Sequence, residues 1–273
     1  MISIHDLSLH DVGFKVSHNS YGIEPFDPAQ QYAANVRGFE LDISQYKSKW
    51  DWCVRHGLGC DAHSGKLSEY LEQIWAWHAT GQDEDPKDPM IIYIDLKKGP
   101  WTDDKFANRI DEYILKSCPD PDRIFSPGQM MIGPSDLLQG AMAMGWPTLG
   151  ELRGHLIFCL SGDGPGKRKY SETEPSRRVC FADEEIMNPH CCDTGSRVFV
   201  NISQAGHFPD LRGLGRWLRS KRALIGRAYD IFSGHGWNMM RDIGFNMLAV
   251  DERFALDPNI PNHPHWPIPS TLR

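Results

Sequence analysis

Two acidic side chains are separated by a single residue in the segment RGFELDIS, at Glu40 and Asp42. The aromatic and β-branched residues around them predict a strand, and the two-residue repeat of a strand places both carboxylates on one face. Two like charges on one face repel each other unless a cation lies between them. Ca²⁺ prefers oxygen ligands and would satisfy both carboxylates. The alternative interpretation is a solvated face at the end of a strand.

Two further oxygen donors follow apolar, strand-like runs. Asp95 follows IIYI, and Asn19 follows FKVSH. In a parallel α/β fold, polar residues that follow an apolar strand lie at the C-terminal mouth of the sheet, where binding sites are built. The alternative for Asp95 is a surface acid at a strand end. The predicted ligands of a divalent ion, completed by water and substrate oxygens, are Asn19, Glu40, Asp42 and Asp95.

Two of the twelve histidines end predicted strands beside these ligands, at His18 and His56. A pair of imidazoles next to a metal suits displacement at phosphorus, because one takes a proton from the nucleophile and the other gives one to the leaving oxygen. His18 and Asn19 are adjacent and would face opposite ways on a regular strand. We therefore expect the strand to end or bend at NSYG. The alternative makes Asn19 part of an ordinary turn and His18 a capping residue.

The segment CVRHGLGCDAH also has the residue types of a zinc site, at Cys53, His56, Cys60 and His63. Structural zinc sites usually set two ligand pairs a dozen or more residues apart, which disfavours this interpretation. A Cys53–Cys60 disulfide is an equal alternative and would hold the loop that carries His56. His63 is the alternative general acid.

Several basic residues are candidates for contact with phosphate. Arg37 and Lys97 flank the acidic strands, where positive charge would stabilise phosphate oxygens; either could equally be a surface residue. The segment Ser161–Arg178 is rich in glycine and charge, and we predict one long exposed loop. Such a basic loop would meet an anionic headgroup or a membrane surface, or would simply be solvated.

Predicted strands and helices alternate along the chain, and several strands are almost continuously apolar, as strands covered on both faces are. Helical patterns lie between them, for example in LSEYLEQIWAW and TDDKFANRIDEYILKSC. The alternation predicts a parallel barrel or a doubly wound sheet. The predicted strands are Phe14–Tyr21, Gly38–Ser44, Trp52–Gly57, Met90–Lys97, His155–Gly162, Arg197–Ser203, Ala223–Phe232 and Phe245–Glu252.

Length and composition exclude several classes of protein. The chain has 273 residues, of which 40% are apolar, enough for one large core. The formal net charge of −7 lacks the basic footprint of nucleic-acid binding. No apolar run is long enough for a transmembrane helix, and the N-terminus lacks the basic and apolar regions of a signal peptide. Seven cysteines allow up to three disulfides or a fully reduced chain.

The order SHNSY, RGFELDIS, VRH and IIYIDLK resembles the catalytic half of phosphatidylinositol-specific phospholipase C, in its calcium-dependent microbial branch. TLGELRGHLIFCLSG and WNMMRDIGFNMLAVDE resemble the second half more loosely. The resemblance implies a distorted TIM-type (β/α)8 barrel, with one catalytic domain over residues 1–273 and an irregular tail from about residue 254. It also implies a secreted protein that contacts a membrane surface transiently to reach a phosphoinositide lipid. We expect a monomer that binds no nucleic acid.

The resemblance also implies roles for individual residues. His18 matches the first catalytic histidine and His56 the second. Glu40 is also placed to take a proton from the substrate hydroxyl, and the sequence does not separate it from His18 in that role. The family's reaction begins with attack of the inositol 2-hydroxyl on phosphorus, which releases diacylglycerol and leaves a 1,2-cyclic phosphate that water can open. The implied Ca²⁺ ligands are Asn19, Glu40, Asp42 and Asp95.

Two other functions compete with this one. A glycerophosphodiester phosphodiesterase or phospholipase D-like enzyme shares the barrel, a Glu-x-Asp pair and a later histidine. That group opens with a His-Arg-Gly type motif, whereas this chain has His18-Asn19-Ser20. A non-catalytic barrel that binds phospholipid or sugar phosphate is the third interpretation, and the presence of every expected ligand and both histidines speaks against it.

Overall fold

The computed structural model describes residues 3–45, 52–57, 60, 64–81, 85–131, 136–186, 194–202 and 210–269. Within these ranges, eleven strands form one sheet. They are β1 (Val12–Ser17), β2 (Val36–Gln45), β3 (Trp52–Val54), β4 (Gly65–Lys66), β5 (Met90–Leu96), β6 (Leu156–Gly162), β7 (Cys180–Glu185), β8 (Phe199–Ile202), β9 (Ile225–Ile231), β10 (Met247–Val250) and β11 (His265–Pro267).

Eight of these strands close into a parallel barrel. β1, β2, β5, β6, β7, β8, β9 and β10 pair in that order, and β10 pairs back onto β1. β3 and β4 extend β2 as antiparallel strands, and β11 pairs antiparallel with β1. The predicted TIM-type barrel is therefore confirmed. Its distortion lies in the β1–β2 and β9–β10 pairings, where the register shifts.

Helices lie between the strands, on the outside of the barrel. In α2, Leu67, Leu71 and Ile74 form the buried stripe that the spacing predicts. Among the described residues, no helix is both long enough and apolar enough to cross a bilayer. The helices are α1 (Pro28–Ala33), α2 (Leu67–Ala79), α3 (Phe106–Ser117), α4 (Leu137–Met144), α5 (Gly164–Glu172), α6 (Leu211–Ser220), α7 (Gly234–Ile243) and α8 (Glu252–Ala255).

The alternation of side chains along β2 decides which of its residues enter the barrel. Phe39, Leu41 and Ile43 belong to a buried apolar cluster that also contains core-facing residues of α2 and α3. Glu40 and Asp42 therefore face the opposite way, into the barrel. The barrel interior below them is filled by a second apolar cluster, which includes Phe14, Val16, Ile91, Ile157 and Phe199.

The prediction of one exposed loop over Ser161–Arg178 is wrong. Half of this segment forms α5, whose first turn is capped by Asp163 through the N–H of Gly166. Lys167 is buried in an ion pair with Asp183 of β7. A composition rich in glycine and charge is typical of a loop, but here ion pairs hold Lys167 and Arg178 inside the fold. β7, with the sequence CFADEE, was not predicted because half of its residues are acidic.

The C-terminal segment also differs from its prediction. The tail is not wholly irregular, since β11 lies within it and covers the outer edge of β1. Its first residue, His265, packs edge-on against Phe14 at a centroid distance of 5.5 Å. Thr148 and Glu151 each donate a backbone N–H to the other's side chain, and the residues that follow form turns.

Candidate active site

Three carboxylates converge at the C-terminal ends of β2 and β5. The register of the two strands places Asp42 opposite Asp95 and Glu40 opposite Tyr93. Glu40, Asp42 and Asp95 each offer an oxygen, and these oxygens lie within 4.8 Å of one another. All three side chains are buried. We call Glu40, Asp42 and Asp95 the acidic cluster.

The acidic cluster carries more negative charge than its surroundings neutralise. Burial raises the pKa of Asp42 to about 7, assisted by the charges of Asp95 and Glu40. Burial and the charge of Glu40 likewise raise the pKa of Asp95. Asp42 Oδ1 and Asp95 Oδ1 are buried and have no hydrogen-bond partner among the described residues. Oxygens of this kind are what a hard divalent cation requires, so the residues present fit Ca²⁺.

Two basic side chains border the cluster. The Lys97 ammonium lies 2.9 Å from Asp95 Oδ2 and 3.3 Å from Asp42 Oδ2. Burial lowers the pKa of Lys97, but Asp95 and Asp42 raise it by more, so it stays positively charged. Arg227 of β9 is buried and donates from Nη2 to Glu40 Oε2 at 2.7 Å. Burial raises the pKa of Glu40, but mainly Arg227 brings it below its ordinary value.

The His18–Asn19 pair follows the end of β1, as expected. The strand ends at Ser17, and Asn19 adopts a left-handed conformation with φ of 51°. The Ser20 hydroxyl donates to the Ser17 carbonyl and accepts the backbone N–H of Glu40, which ties the turn to β2. His18 Nε2 consequently lies 3.6 Å from Glu40 Oε2.

Asn19 contacts the cluster through its backbone and points its side chain at a tyrosine. Its N–H donates to Glu40 Oε2 at 3.4 Å. Its side-chain oxygen accepts the Tyr21 hydroxyl at 2.9 Å. Burial, followed by the charge of Asp42, raises the pKa of Tyr21, so the phenol remains a proton donor beside the carboxylates. Tyr21 was not among the predicted site residues.

His56 follows the end of β3, in the connection from β3 to β4, and lies beside Asp42 of the cluster. Its Nδ1 is 3.3 Å from Asp42 Oδ2, and its side chain is 75% exposed. A Cys53–Cys60 disulfide closes the loop that carries it. The disulfide excludes the zinc interpretation, because both sulfurs are bonded to each other. His63, the alternative acid, lies outside the described residues.

Arg37 is not brought to the cluster, which corrects the prediction that it binds substrate. It is the second residue of β2, at the opposite, N-terminal end of the barrel. Its Nε donates to Asp88 Oδ2 at 2.7 Å, and its guanidinium lies 3.6 Å over the Tyr32 ring. The side chain is buried, and its charge is compensated by Asp88.

Polar side chains from other strands complete the mouth, and these were not predicted. Arg227 Nη1 donates to Asn201 Oδ1 at 3.3 Å, and Asn201 Nδ2 donates to Ser161 Oγ at 3.2 Å. The Tyr229 ring lies 5.4 Å from the His18 ring, centroid to centroid. A single arginine in the apolar run ALIGRAYDIF was the available signal. The mouth is therefore lined by polar side chains, with the acidic cluster on one side.

Comparisons with known proteins bear on this geometry. The family model described as Phosphoinositide phospholipase C, Ca2+-dependent, matches residues 56–197, which is more than half of the chain. His56 and Asp95 lie within that match, whereas the ligands on β2 and the His18–Asn19 turn precede it. No curated protein sequence matches the chain.

Solved structures share the fold at low sequence identity. An apo calcium-dependent phosphoinositol-specific phospholipase C from a Pseudomonas species has a TM-score of 0.75 and 18% identity, covering 98% of this chain and 97% of that one. A Ca²⁺-dependent phosphatidylinositol-specific phospholipase C from Streptomyces antibioticus has a TM-score of 0.69 and 14% identity, covering 92% and 97%. A glycerophosphodiester phosphodiesterase from Parabacteroides distasonis has a TM-score of 0.54 and 9% identity, covering 91% and 96%.

Proposed function

The chain belongs to the Ca²⁺-dependent phosphoinositide phospholipase C family and is a phosphodiesterase, and from this premise we propose that it cleaves phosphatidylinositol to diacylglycerol and inositol phosphate through a 1,2-cyclic phosphate. The acidic cluster carries the proposal. Two of its buried oxygens lack a partner among the described residues, and an imidazole lies on each side of it. Residues 1–273 act as one catalytic unit in this proposal.

The proposed ligands of Ca²⁺ are the three carboxylates of the acidic cluster and the side-chain oxygen of Asn19. Carboxylate and amide oxygens of this number suit Ca²⁺ better than Mg²⁺, which demands near-octahedral geometry. When bound, Ca²⁺ neutralises charge on the phosphate oxygens and lowers the pKa of the substrate hydroxyl. Lys97, which keeps its positive charge and is partly exposed, is proposed to contact the phosphate.

His18 is a better candidate than Glu40 for the general base. Glu40 Oε2 already accepts hydrogen bonds from Arg227 and from the Asn19 backbone. The lowered pKa of Glu40 also makes it a weak proton acceptor. His18 is partly exposed at the mouth and has a ring nitrogen directed at the cluster. We therefore assign the 2-hydroxyl proton to His18 and keep Glu40 as a ligand.

His56 is proposed as the general acid that protonates the glycerol oxygen. Its Nδ1 faces Asp42, which leaves Nε2 for the leaving group. Its exposure makes it accessible to a lipid whose glycerol backbone stays in the membrane. The hairpin pairing between β2 and β3 and the Cys53–Cys60 disulfide hold it beside the cluster.

We also propose a membrane contact, a compartment and an oligomeric state for the enzyme. Phe232 follows β9 at the mouth, is 49% exposed, and lies 5.9 Å from the Arg253 guanidinium. An aromatic ring beside a cation suits transient contact with an anionic membrane surface. The disulfide supports secretion, because disulfides persist in oxidising compartments. We propose a monomer that binds phosphoinositide and no nucleic acid.

Product analysis on phosphatidylinositol vesicles tests this function. We expect ³¹P NMR to show inositol 1,2-cyclic phosphate in Ca²⁺, no reaction in EGTA, and poor rescue by Mg²⁺. Full activity in EGTA would contradict the calcium assignment. Glycerol phosphate as the product would favour the glycerophosphodiester phosphodiesterase alternative. Binding to the vesicles without turnover would favour the non-catalytic one.

A further inference from the structure

His18 lies between two carboxylates from different strands. Its Nε2 is 3.6 Å from Glu40 Oε2, and its Nδ1 is 3.5 Å from Asp230 Oδ1. Glu40 is a proposed metal ligand, whereas Asp230 has no role in the site described so far. A neutral imidazole carries its proton on only one nitrogen, so the stronger acceptor decides which nitrogen that is.

The backbone of β9 is distorted at Asp230, and this distortion directs the carboxylate towards His18. Leu248 pairs with Ala228 and Val250 pairs with Ile231, so β9 has one residue more than β10 across this interval. Asp230 also adopts a left-handed conformation, with φ of 60°. On a regular strand, the side chain of residue 230 would point away from the face that carries Tyr229. The bulge and the left-handed residue together direct both side chains to the mouth.

The neighbours of His18 leave Asp230 as the acceptor for Nδ1. Glu40 Oε2 already accepts from Arg227 at 2.7 Å and from a backbone N–H at 3.4 Å. Asp251, at the end of β10, is the other acid nearby, but it accepts from Arg253 Nε at 2.7 Å. The Tyr229 ring lies 5.4 Å from the imidazole, centroid to centroid, at an interplanar angle of 37°, and limits its rotation.

We propose that Asp230 is a positioning residue that fixes the tautomer of His18. It accepts the Nδ1 proton, which leaves the Nε2 lone pair free for the substrate hydroxyl. During attack, the hydroxyl proton moves to Nε2 and the Nδ1 proton stays in its hydrogen bond to Asp230. Contacts of this kind are often long without substrate and shorten in the reactive complex. The inference rests on the proposed function, in which His18 is the base.

Two substitutions separate this role from a structural one. Asp230→Asn keeps a residue that tolerates the left-handed conformation but loses the charge, and Asp230→Gly removes the side chain while relieving the backbone. We expect kcat to fall about 10- to 100-fold in both variants, with KM changed by less than about threefold. Asp230→Gly should unfold at the wild-type temperature or about 1–3 °C higher. Asp251→Asn is the matched control, with kcat within about threefold of wild type.

The tautomer is measured directly by ¹⁵N–¹H correlation of the histidine rings, with the His18 signal assigned by its loss in His18→Gln. We expect the proton on Nδ1 in the wild type and a mixture of tautomers in Asp230→Gly. Unchanged kcat in both variants, a wild-type proton on Nε2, or a lower unfolding temperature in Asp230→Gly that tracks the loss of activity would overturn the inference. Absence of cleavage by the wild type would contradict the proposed function instead, while the tautomer would still test Asp230.

Discussion

The two ends of the barrel treat buried carboxylates in opposite ways. At the N-terminal end, Asp88 accepts from Arg37 and Tyr32 and lies 3.4 Å from His265 Nε2. Burial raises the pKa of Asp88, but His265 and Arg37 lower it by more. At the mouth, the basic neighbours do not offset the effect of burial, and the pKa of Asp42 rises to about 7.

The charges around Asp88 are compensated within the fold, whereas those of the acidic cluster are not. The acidic cluster places three carboxylates against the two basic side chains of Lys97 and Arg227. A balanced network leaves no buried charge uncompensated, whereas an unbalanced one leaves negative charge that a bound cation can compensate. The mouth therefore carries a destabilising charge that Ca²⁺ would relieve, and the opposite end does not.

Replacing one histidine at each end should give the largest contrast in activity. His18→Ala removes the proposed base, and we expect kcat to fall by about 10³- to 10⁴-fold. His265→Gln, at the opposite end, should leave kcat within about threefold of wild type because His265 lies outside the mouth. Steady-state cleavage of phosphatidylinositol vesicles measures both. Similar losses in the two variants would contradict the separation of the ends.

Removing one charge from each network should change stability in opposite directions. Arg37→Met leaves Asp88 buried without its main partner, and we expect a loss of about 3–5 kcal/mol in the free energy of unfolding. Asp42→Asn relieves repulsion and should gain about 1 kcal/mol in EGTA while losing calcium-dependent activity. Urea unfolding in EGTA measures both changes. Destabilisation of the calcium-free protein by Asp42→Asn would mean that the cluster is already balanced.

If His56 is the general acid, the loss of rate on replacing it should depend on the leaving group. His56→Ala should lose about 10²- to 10³-fold on phosphatidylinositol, whose alkoxide is a poor leaving group. On an inositol phosphodiester with a nitrophenolate leaving group, the loss should be less than about tenfold, because that group departs without protonation. Paired rate measurements on the two substrates are sufficient. Equal losses would remove His56 from this role.

The two ends should also respond oppositely to acid. Burial lowers the pKa of His265 to about 4, so between pH 7 and pH 5 the unfolded chain gains a proton there that the folded chain does not, and stability falls. Asp42, with its pKa raised to about 7, gains a proton only in the folded state, and stability rises.

Variants isolate these two contributions to the pH dependence. Relative to wild type in EGTA, His265→Gln should lose less stability on acidification from pH 7 to pH 5, and Asp42→Asn should lose more, each by about 2 kcal/mol. Chemical unfolding at a series of pH values measures both slopes. Parallel curves for wild type and both variants would refute the assignment.

The smallest expected effect concerns the membrane. Phe232→Ala should lower the rate on vesicles by about three- to tenfold and leave the rate on soluble short-chain substrate unchanged, because only vesicles offer an interface. Met142→Ala, which truncates an exposed apolar side chain on α4 away from the mouth, is the matched control. A loss on both substrates, or an equal loss in the control, would count against membrane contact by Phe232.

Much of the fold and the convergence of the three carboxylates could be predicted because both depend on local periodicity. Strand alternation gives the common face of Glu40 and Asp42, and the C-terminal ends of parallel strands give the meeting point with Asp95. The same periodicity argues against Arg37, which shares the outward face of Phe39 and Leu41.

The unpredicted features depend on contacts distant in the sequence. Arg227 enters the site only because β9 lies across the barrel from β2, where Glu40 is. The bulge at Asp230 leaves no trace in an apolar run such as ALIGRAYDIF. α5 forms in a segment with loop-like composition, and the ion pair between Lys167 and Asp183 of β7 holds it against the barrel.

A crystal structure of the protein soaked in Ca²⁺ tests the central claim most directly. We predict one Ca²⁺ bonded to oxygens of Glu40, Asp42 and Asp95 at about 2.3–2.6 Å. The anomalous signal of the ion would identify it. Electron density without an ion at the acidic cluster in saturating Ca²⁺, or Ca²⁺ bound only elsewhere, would contradict the account.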